Sequence, residues 1–425
     1  MTFDELYNLS VESSAISWIA NTEPSQGVID ADTRASTRLS SAMRSFVLEN
    51  PEHPISLIHK PNSEELDLKY KLTVDKLWYH YLDLRKTKEP AGELYYQYFD
   101  ELVAVTKELV DSQKVSHPIE LNEHNFATPD TILSILEKMA KVCSVAIKNK
   151  IKNDIRMPKN TTMDDIDSLV QAYRSDAFFK FSTENGSFMT NMDMDTARIH
   201  ISKTDSLEDM HSSVTHELGH ALYQTRFLNK NTEIGKLGGM LSLSLHESSS
   251  IFHELVLSGL DFLVDPESPK NLKRLTADRL HYIIHIYIRT KVEHEIFENN
   301  LPAKEIPVLW NKLMQEYIGI VPDNEWDGFL QDVHWSSGAF GYFHSYAIGT
   351  LNAISMYNSV KDKLDGYESN DTVIVEEVIL PEIEKRYGLF NEQSKEMLLS
   401  VHNNKSVDEI VGEFEDFVNK NFNVL

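Results

Sequence analysis

A chain of 425 residues, 41% hydrophobic and 25% charged, is long enough to bury a sizeable core and has the balance of a soluble globular protein. Its net charge of −25 argues against nucleic acid and anionic membrane as partners, because phosphate recognition needs clustered Lys and Arg. The single cysteine, Cys143, excludes a disulfide framework. The start Met1-Thr2-Phe3-Asp4-Glu5 lacks a basic-then-apolar order and no run reaches membrane-span length, so a cytoplasmic protein is expected.

From Met1 to about residue 160 the chain reads as successive helices. Leu94, Tyr98, Leu102, Val105 and Leu109 mark one apolar face. Thr128-Pro129 opens another helix, with Pro at its first position and Ile132, Leu136, Met139 and Cys143 following at helical spacing. Cys143 then belongs to a core, as an inert buried thiol.

Between Ala177 and Ser202 the pattern alternates. Phe178–Ser182 and Ser187–Met189 flank Asn185-Gly186, which reads as a hairpin, and Arg198–Ser202 reads as a further strand. A small sheet is therefore expected before the next helix, and an exposed edge of it could hold an extended peptide.

That helix carries His216-Glu217-Leu218-Gly219-His220. Histidines four apart share a helix face, so both imidazoles can reach one ion while Glu217 reaches water beside it. Met210, Val214, Leu218, Ala221 and Leu222 recur at helical spacing, and Ser206 with Asp209 resembles a capping box. A catalytic zinc takes three protein ligands and keeps one position open. Glu247, on a second helix expected over Leu241–Leu257, is the best third ligand if a turn near Gly235, Gly238 and Gly239 folds that helix back. Spacing alone leaves Glu247 equally readable as a solvated carboxylate.

Further helices follow. Arg289 stands among the apolar His281, Ile284, Ile288 and Val292 run, either in a structural ion pair or aimed at a carboxylate, and the residues alone favour the pair. Trp310, Leu313, Met314 and Tyr317 form another amphipathic face closing at Gly319. The stretch from Gly328 to Tyr346 is dense in hydrogen-bond donors and in glycines that permit close backbone approach.

Taken together, these motifs resemble the carboxypeptidase Taq family of zinc metallocarboxypeptidases. His216–Tyr223 is similar to its zinc helix, His246-Glu247-Ser248 to its His-Glu-Ser motif, and Gly328, Gln331, Asp332, His334 and Trp335 fill its Gly-x-x-Gln-Asp-x-His-Trp motif. Arg274, Ala277 and Asp278 fit a fourth motif in which Lys273 replaces an aliphatic residue. Gly186-Ser187-Phe188 stands where His-Pro-Phe is usual, and Asp195–His200 departs from Asp-x-Arg-x-Thr.

The resemblance implies a mainly α, oligopeptidase-like fold with a small β-sheet, in one catalytic domain. Residues 1–160 would form a helical wall, 177–357 the metal and substrate core, and 358–425 a helical closure. It also implies a zinc-dependent enzyme, commonly a homodimer, that removes C-terminal residues from peptides, with cobalt a possible substitute. His216, His220 and Glu247 become zinc ligands, Glu217 the general base, and His334 and Tyr346 donors to the tetrahedral intermediate. Arg289 becomes the clamp for the substrate's terminal carboxylate, with Arg274, Gln331 and Tyr342 also assigned to substrate binding. An oligopeptidase cutting within peptides, or a silent peptide-binding scaffold, are the alternative readings.

Overall fold

The computed structural model describes all residues except 1, 24, 54, 55, 57–61, 124–127, 151–162, 175, 176, 183–186, 204–206, 232, 238–241, 265–269, 365, 366, 368–372, 388–404 and 423–425. The longer helices are α1 (Phe3–Thr22), α2 (Gln26–Glu49), α3 (Glu64–Thr87), α4 (Glu93–Ser112), α5 (Pro118–Glu123), α6 (Pro129–Lys150) and α7 (Met163–Ala172). After a three-stranded sheet come α8 (Leu207–Leu222), α9 (Leu243–Val264), α10 (Lys270–Glu298), α11 (Ile306–Tyr317), α12 (His344–Val360), α13 (Leu380–Tyr387) and α14 (Val407–Phe422). The fold is mainly α, as expected. Among the described residues no helix is long and apolar enough to cross a membrane.

The chain forms two compact units, each gathered from three stretches. The first comprises Met1–Pro61, Arg156–Arg274 and Gly349–Asn404. In it α1 starts with a reciprocal cap, Thr2 accepting from the Glu5 backbone while Glu5 accepts from that of Thr2. Leu6 of α1 packs with Ala42 and Phe46 of α2.

The sheet of this unit corrects one expectation. Strand β1 (Ala177–Ser182) runs parallel to β3 (Ala197–Ser202), and β2 (Phe188–Asn191) runs antiparallel to β3, giving the order β1-β3-β2. The first two strands therefore do not form a hairpin, and the Asn185-Gly186 turn lies outside the described residues. Burial explains the arrangement: Ile199, His200 and Ile201 are all buried, so β3 takes the central place. Phe178, 63% exposed, lies on the edge strand β1. Strand β3 packs against α8 and thereby supports the helix that carries the two histidines.

The second unit comprises Asn62–Ile155, Leu275–Ile348 and Lys405–Leu425. Helix α6 follows the sequence pattern closely. The Thr128 hydroxyl accepts from the Thr131 backbone at 3.2 Å, and Ile132, Leu136, Met139 and Cys143 are fully buried. Burial pushes the Cys143 thiol well above its usual pKa, which leaves it inert.

On α4 the buried face is offset from the expected one. Tyr95, Phe99, Leu102, Val105 and Val110 turn inward while Leu94 is exposed. The aromatic rings decide this, because Tyr95 packs on Phe329 and Phe99 on Phe340, each burying more area than Leu94 could. Helix α11 ends as expected at Gly319, whose φ of +84° and bond to the Met314 carbonyl form the left-handed cap.

Candidate metal centre

Helices α8 and α9 pack antiparallel. Thr215 meets His253, His216 meets Glu254, Gly219 meets Ser250 and His220 meets Glu247, so residue numbers rise on one helix as they fall on the other. Gly219 makes the crossing close: a Cβ there would lie 2.6 Å from the Ser250 Cα. Gly349, on α12, does the same from another side, since its Cβ would lie 2.8 Å from that of Glu247. Glu247 is thus wedged between helix backbones and almost fully buried.

Three candidate ligand groups converge in consequence. His220 Nε2 lies 3.1 Å from His216 Nε2, which is 3.6 Å from Glu247 Oε2, and His220 Nε2 is 3.7 Å from Glu247 Oε1. Tetrahedral zinc with ligands at about 2.1 Å spaces its donors about 3.4 Å apart, so the set fits such an ion in both chemistry and spacing. Among the described residues this is the group of His, Cys, Asp and Glu able to hold a metal.

The surroundings hold these ligands in place. Glu254 Oε1 lies 2.5 Å from His216 Nδ1, which fixes the ring and leaves Nε2 toward the cluster. The His246 ring stacks on that of His220 at 4.2 Å between centroids. Glu254 received no role from the sequence. Its signal was the seven-residue interval from Glu247, two turns along one face of α9.

Electrostatics separates the roles of these groups. Burial alone would lower the pKa of His216, but the Glu254 carboxylate, with Glu247 and Glu217 behind it, raises it to about 9. Burial and the neighbouring His246 and His216 push His220 well below its usual value, so it is neutral and ready to ligate. Glu217 is raised to about 7 by burial, with His216 opposing and Glu254 adding to the shift. A carboxyl poised there can both take and return a proton near neutral pH.

The remaining sequence-assigned residues lie in the second unit, apart from Arg274. That residue falls within α10, and its side chain is outside the described residues. Asp332 caps the one-turn helix Val333–Ser336 by accepting from the His334 backbone at 2.8 Å, and His334 Nδ1 lies 3.2 Å from the same oxygen. Its other oxygen takes the Nε–H of Arg289, whose guanidinium lies between Trp310 and Phe343. Arg289 thus makes an ion pair with Asp332 through its Nε edge.

The His334 ring stacks on Tyr342 at 5.6 Å, and Tyr346 donates to the Tyr342 hydroxyl at 3.1 Å. Gln331 is exposed and gives its amide to the Gly328 carbonyl at 2.9 Å. Behind them Glu293, buried, accepts from Trp335 Nε1 at 2.8 Å and from the Gly341 backbone at 3.1 Å. Gly341 takes a φ of +68°, and its backbone presses on Pro118 and Ile119 where a Cβ would meet atoms at 2.4 Å.

A carboxypeptidase 1 from Bacillus subtilis is 33% identical over 180 residues, a match covering 36% of this chain and 36% of that protein. A thermostable carboxypeptidase 1 from Pyrococcus furiosus is 32% identical over 181 residues, covering 37% and 36%. The match thus spans about a third of the length of these curated relatives. In fold the likeness extends along the whole chain. A Pyrococcus furiosus carboxypeptidase structure superposes with a TM-score of 0.78 at 18% identity, covering 99% of this chain and 97% of that one. The Trypanosoma cruzi metallocarboxypeptidase 1 gives 0.77 at 18% identity, with coverage of 99% and 97%. The profile of the carboxypeptidase Taq (M32) metallopeptidases matches residues 140–260 and 267–401, and the chain belongs to that family.

Proposed function

We propose that the chain is a zinc-dependent carboxypeptidase that hydrolyses C-terminal residues from peptides, working as one catalytic domain. The observation that carries this reading is the convergence of His216, His220 and Glu247 beside a carboxyl, Glu217, whose pKa is raised to about 7. Zinc is the metal of choice for two imidazoles and one carboxylate, and cobalt could substitute. Once bound, the ion supplies Lewis-acid polarisation of the scissile carbonyl and acidifies water at the site.

The chain's own groups do the rest. Glu217 takes the attacking water's proton and passes it to the leaving amine. His334 and Tyr346 donate to the oxyanion, a role in which each donor typically contributes about 10²–10³ in rate. Arg289 receives the substrate's terminal carboxylate, with Arg274, Gln331 and Tyr342 also contacting the peptide. Peptides are the substrate class, and the working form is a cytoplasmic homodimer with neither nucleic acid nor membrane as partner.

A mid-length peptide offered with free and with amidated C-termini tests the reading by mass spectrometry. A ladder losing one residue at a time from the free end, abolished by a chelator, is expected. Internal fragments from both forms would instead identify an oligopeptidase, and no cleavage by the zinc-loaded protein would leave a silent peptide-binding scaffold. For Arg289→Ala, KM should rise for free-acid peptides and stay near the original value for amidated ones.

A further inference from the structure

Asp332 is a carboxylate whose side chain has no exposed surface, and burying such a charge is costly unless donors surround it. Its donors are specific. Oδ1 takes the backbone N–H of His334 at 2.8 Å and faces the ring Nδ1 of the same residue at 3.2 Å, while Oδ2 takes Nε–H of Arg289. Burial alone would raise this carboxyl, but the bonds and charges of His334 and Arg289 overcome it and hold the group ionised.

An ionised carboxylate only accepts hydrogen bonds, so the Nδ1 facing it carries a proton, and donation to the oxyanion from Nε2 uses the doubly protonated ring, whose positive charge the adjacent carboxylate balances. The Arg289 guanidinium is likewise constrained, its Nε edge committed to Asp332 and its central carbon lying over the Trp310 and Phe343 rings at 5.3 and 5.4 Å. Phe343 also meets the His334 ring edge-on at 5.0 Å, so the two groups share one wall as well as one carboxylate.

We propose that Asp332 is a positioning residue whose two oxygens set, at the same time, the ring of His334 and the guanidinium of Arg289. One buried group thereby ties the donor assigned to the oxyanion to the clamp assigned to the terminal carboxylate. This rests on the roles given above to His334 and Arg289. It adds that neither works at full strength without Asp332, which itself touches no substrate.

The test is a set of double-variant cycles on the zinc-loaded protein, with kcat and KM measured on free-acid and amidated peptides. Asp332→Asn should lower kcat on the order of 10²-fold, the scale of losing one oxyanion donor, and should also reduce discrimination in favour of the free acid. In a His334→Ala background Asp332→Asn should cost no further kcat, and in an Arg289→Ala background it should change discrimination no further.

An Asp332→Asn loss of undiminished size in both backgrounds would overturn the inference and leave a purely structural carboxylate. Wild-type kcat in His334→Ala alone would instead overturn the reading of His334 itself, so the two failures are distinguishable. Because Asn leaves Arg289 without its counter-charge, the charge-balanced pair Arg289→Gln with Asp332→Asn guards against misfolding. It should retain zinc yet show the full kcat loss, whereas wild-type kcat in that pair would contradict the inference.

Discussion

Glu254 stands two helical turns beyond Glu247 on the same helix and holds His216 from behind, its Oε1 2.5 Å from Nδ1. One face of one helix thus supplies both a carboxylate able to ligate a metal and the carboxylate that orients the His216 ring beside it. Removing such a partner typically costs 10–100-fold in metal affinity. Glu254→Gln should therefore bind zinc more weakly by about that factor, measured by chelator competition. An unchanged affinity would mean that the ring is held by packing alone.

Gly219 sets how closely the two metal helices approach. A methyl at this position meets backbone rather than a flexible side-chain end, so the helices must separate. Gly219→Ala should cost about 1–3 kcal/mol of stability, as overpacking usually does, and should weaken zinc binding with it. Denaturant unfolding of the zinc-free and zinc-loaded forms reads both effects. A neutral substitution would show that the crossing has slack.

Glu293 gives the fold a pH dependence of definite sign. Burial raises its carboxyl to about 8, with the bonds from Trp335 and Gly341 opposing. Because its folded value lies above the unfolded one near 4.5, folding favours the protonated form. That stabilisation is fully present below about pH 4.5 and is lost as pH rises through about 8. The melting temperature should thus fall more between pH 5 and 9 in the native protein than in Glu293→Gln. Parallel curves for the two proteins would contradict the assignment.

Much of this was legible in the sequence, for physical reasons that particular residues make plain. Ile132, Leu136, Met139 and Cys143 recur at a period that only a helix can bury together, and all four are buried. His216 and His220 share a face by the same geometry. Glu247 needed the second helix to fold back, which depended on a close crossing at Gly219 and not on local propensity.

The strands misled because adjacency in sequence favours a hairpin, whereas burial of Ile199, His200 and Ile201 placed β3 between β1 and β2. The apolar face of α4 was displaced because Tyr95 and Phe99 found aromatic partners over two hundred residues away. Glu293 and the double grip of Asp332 were invisible for a related reason, and the spacing of Glu254 from Glu247 showed a shared face but not its partner His216. A carboxylate on a helix or in a motif acquires its partner only when another element is packed against it.

The central claim is that His216, His220 and Glu247 hold a metal at which Glu217 moves the proton. The most direct measurement is zinc content together with turnover of Glu217→Gln, with Glu247→Ala in parallel. Glu217→Gln should keep about one zinc per chain and lose nearly all turnover, while Glu247→Ala should lose the metal. A zinc-loaded Glu217→Gln protein that still cleaves peptides at the native rate would contradict the account.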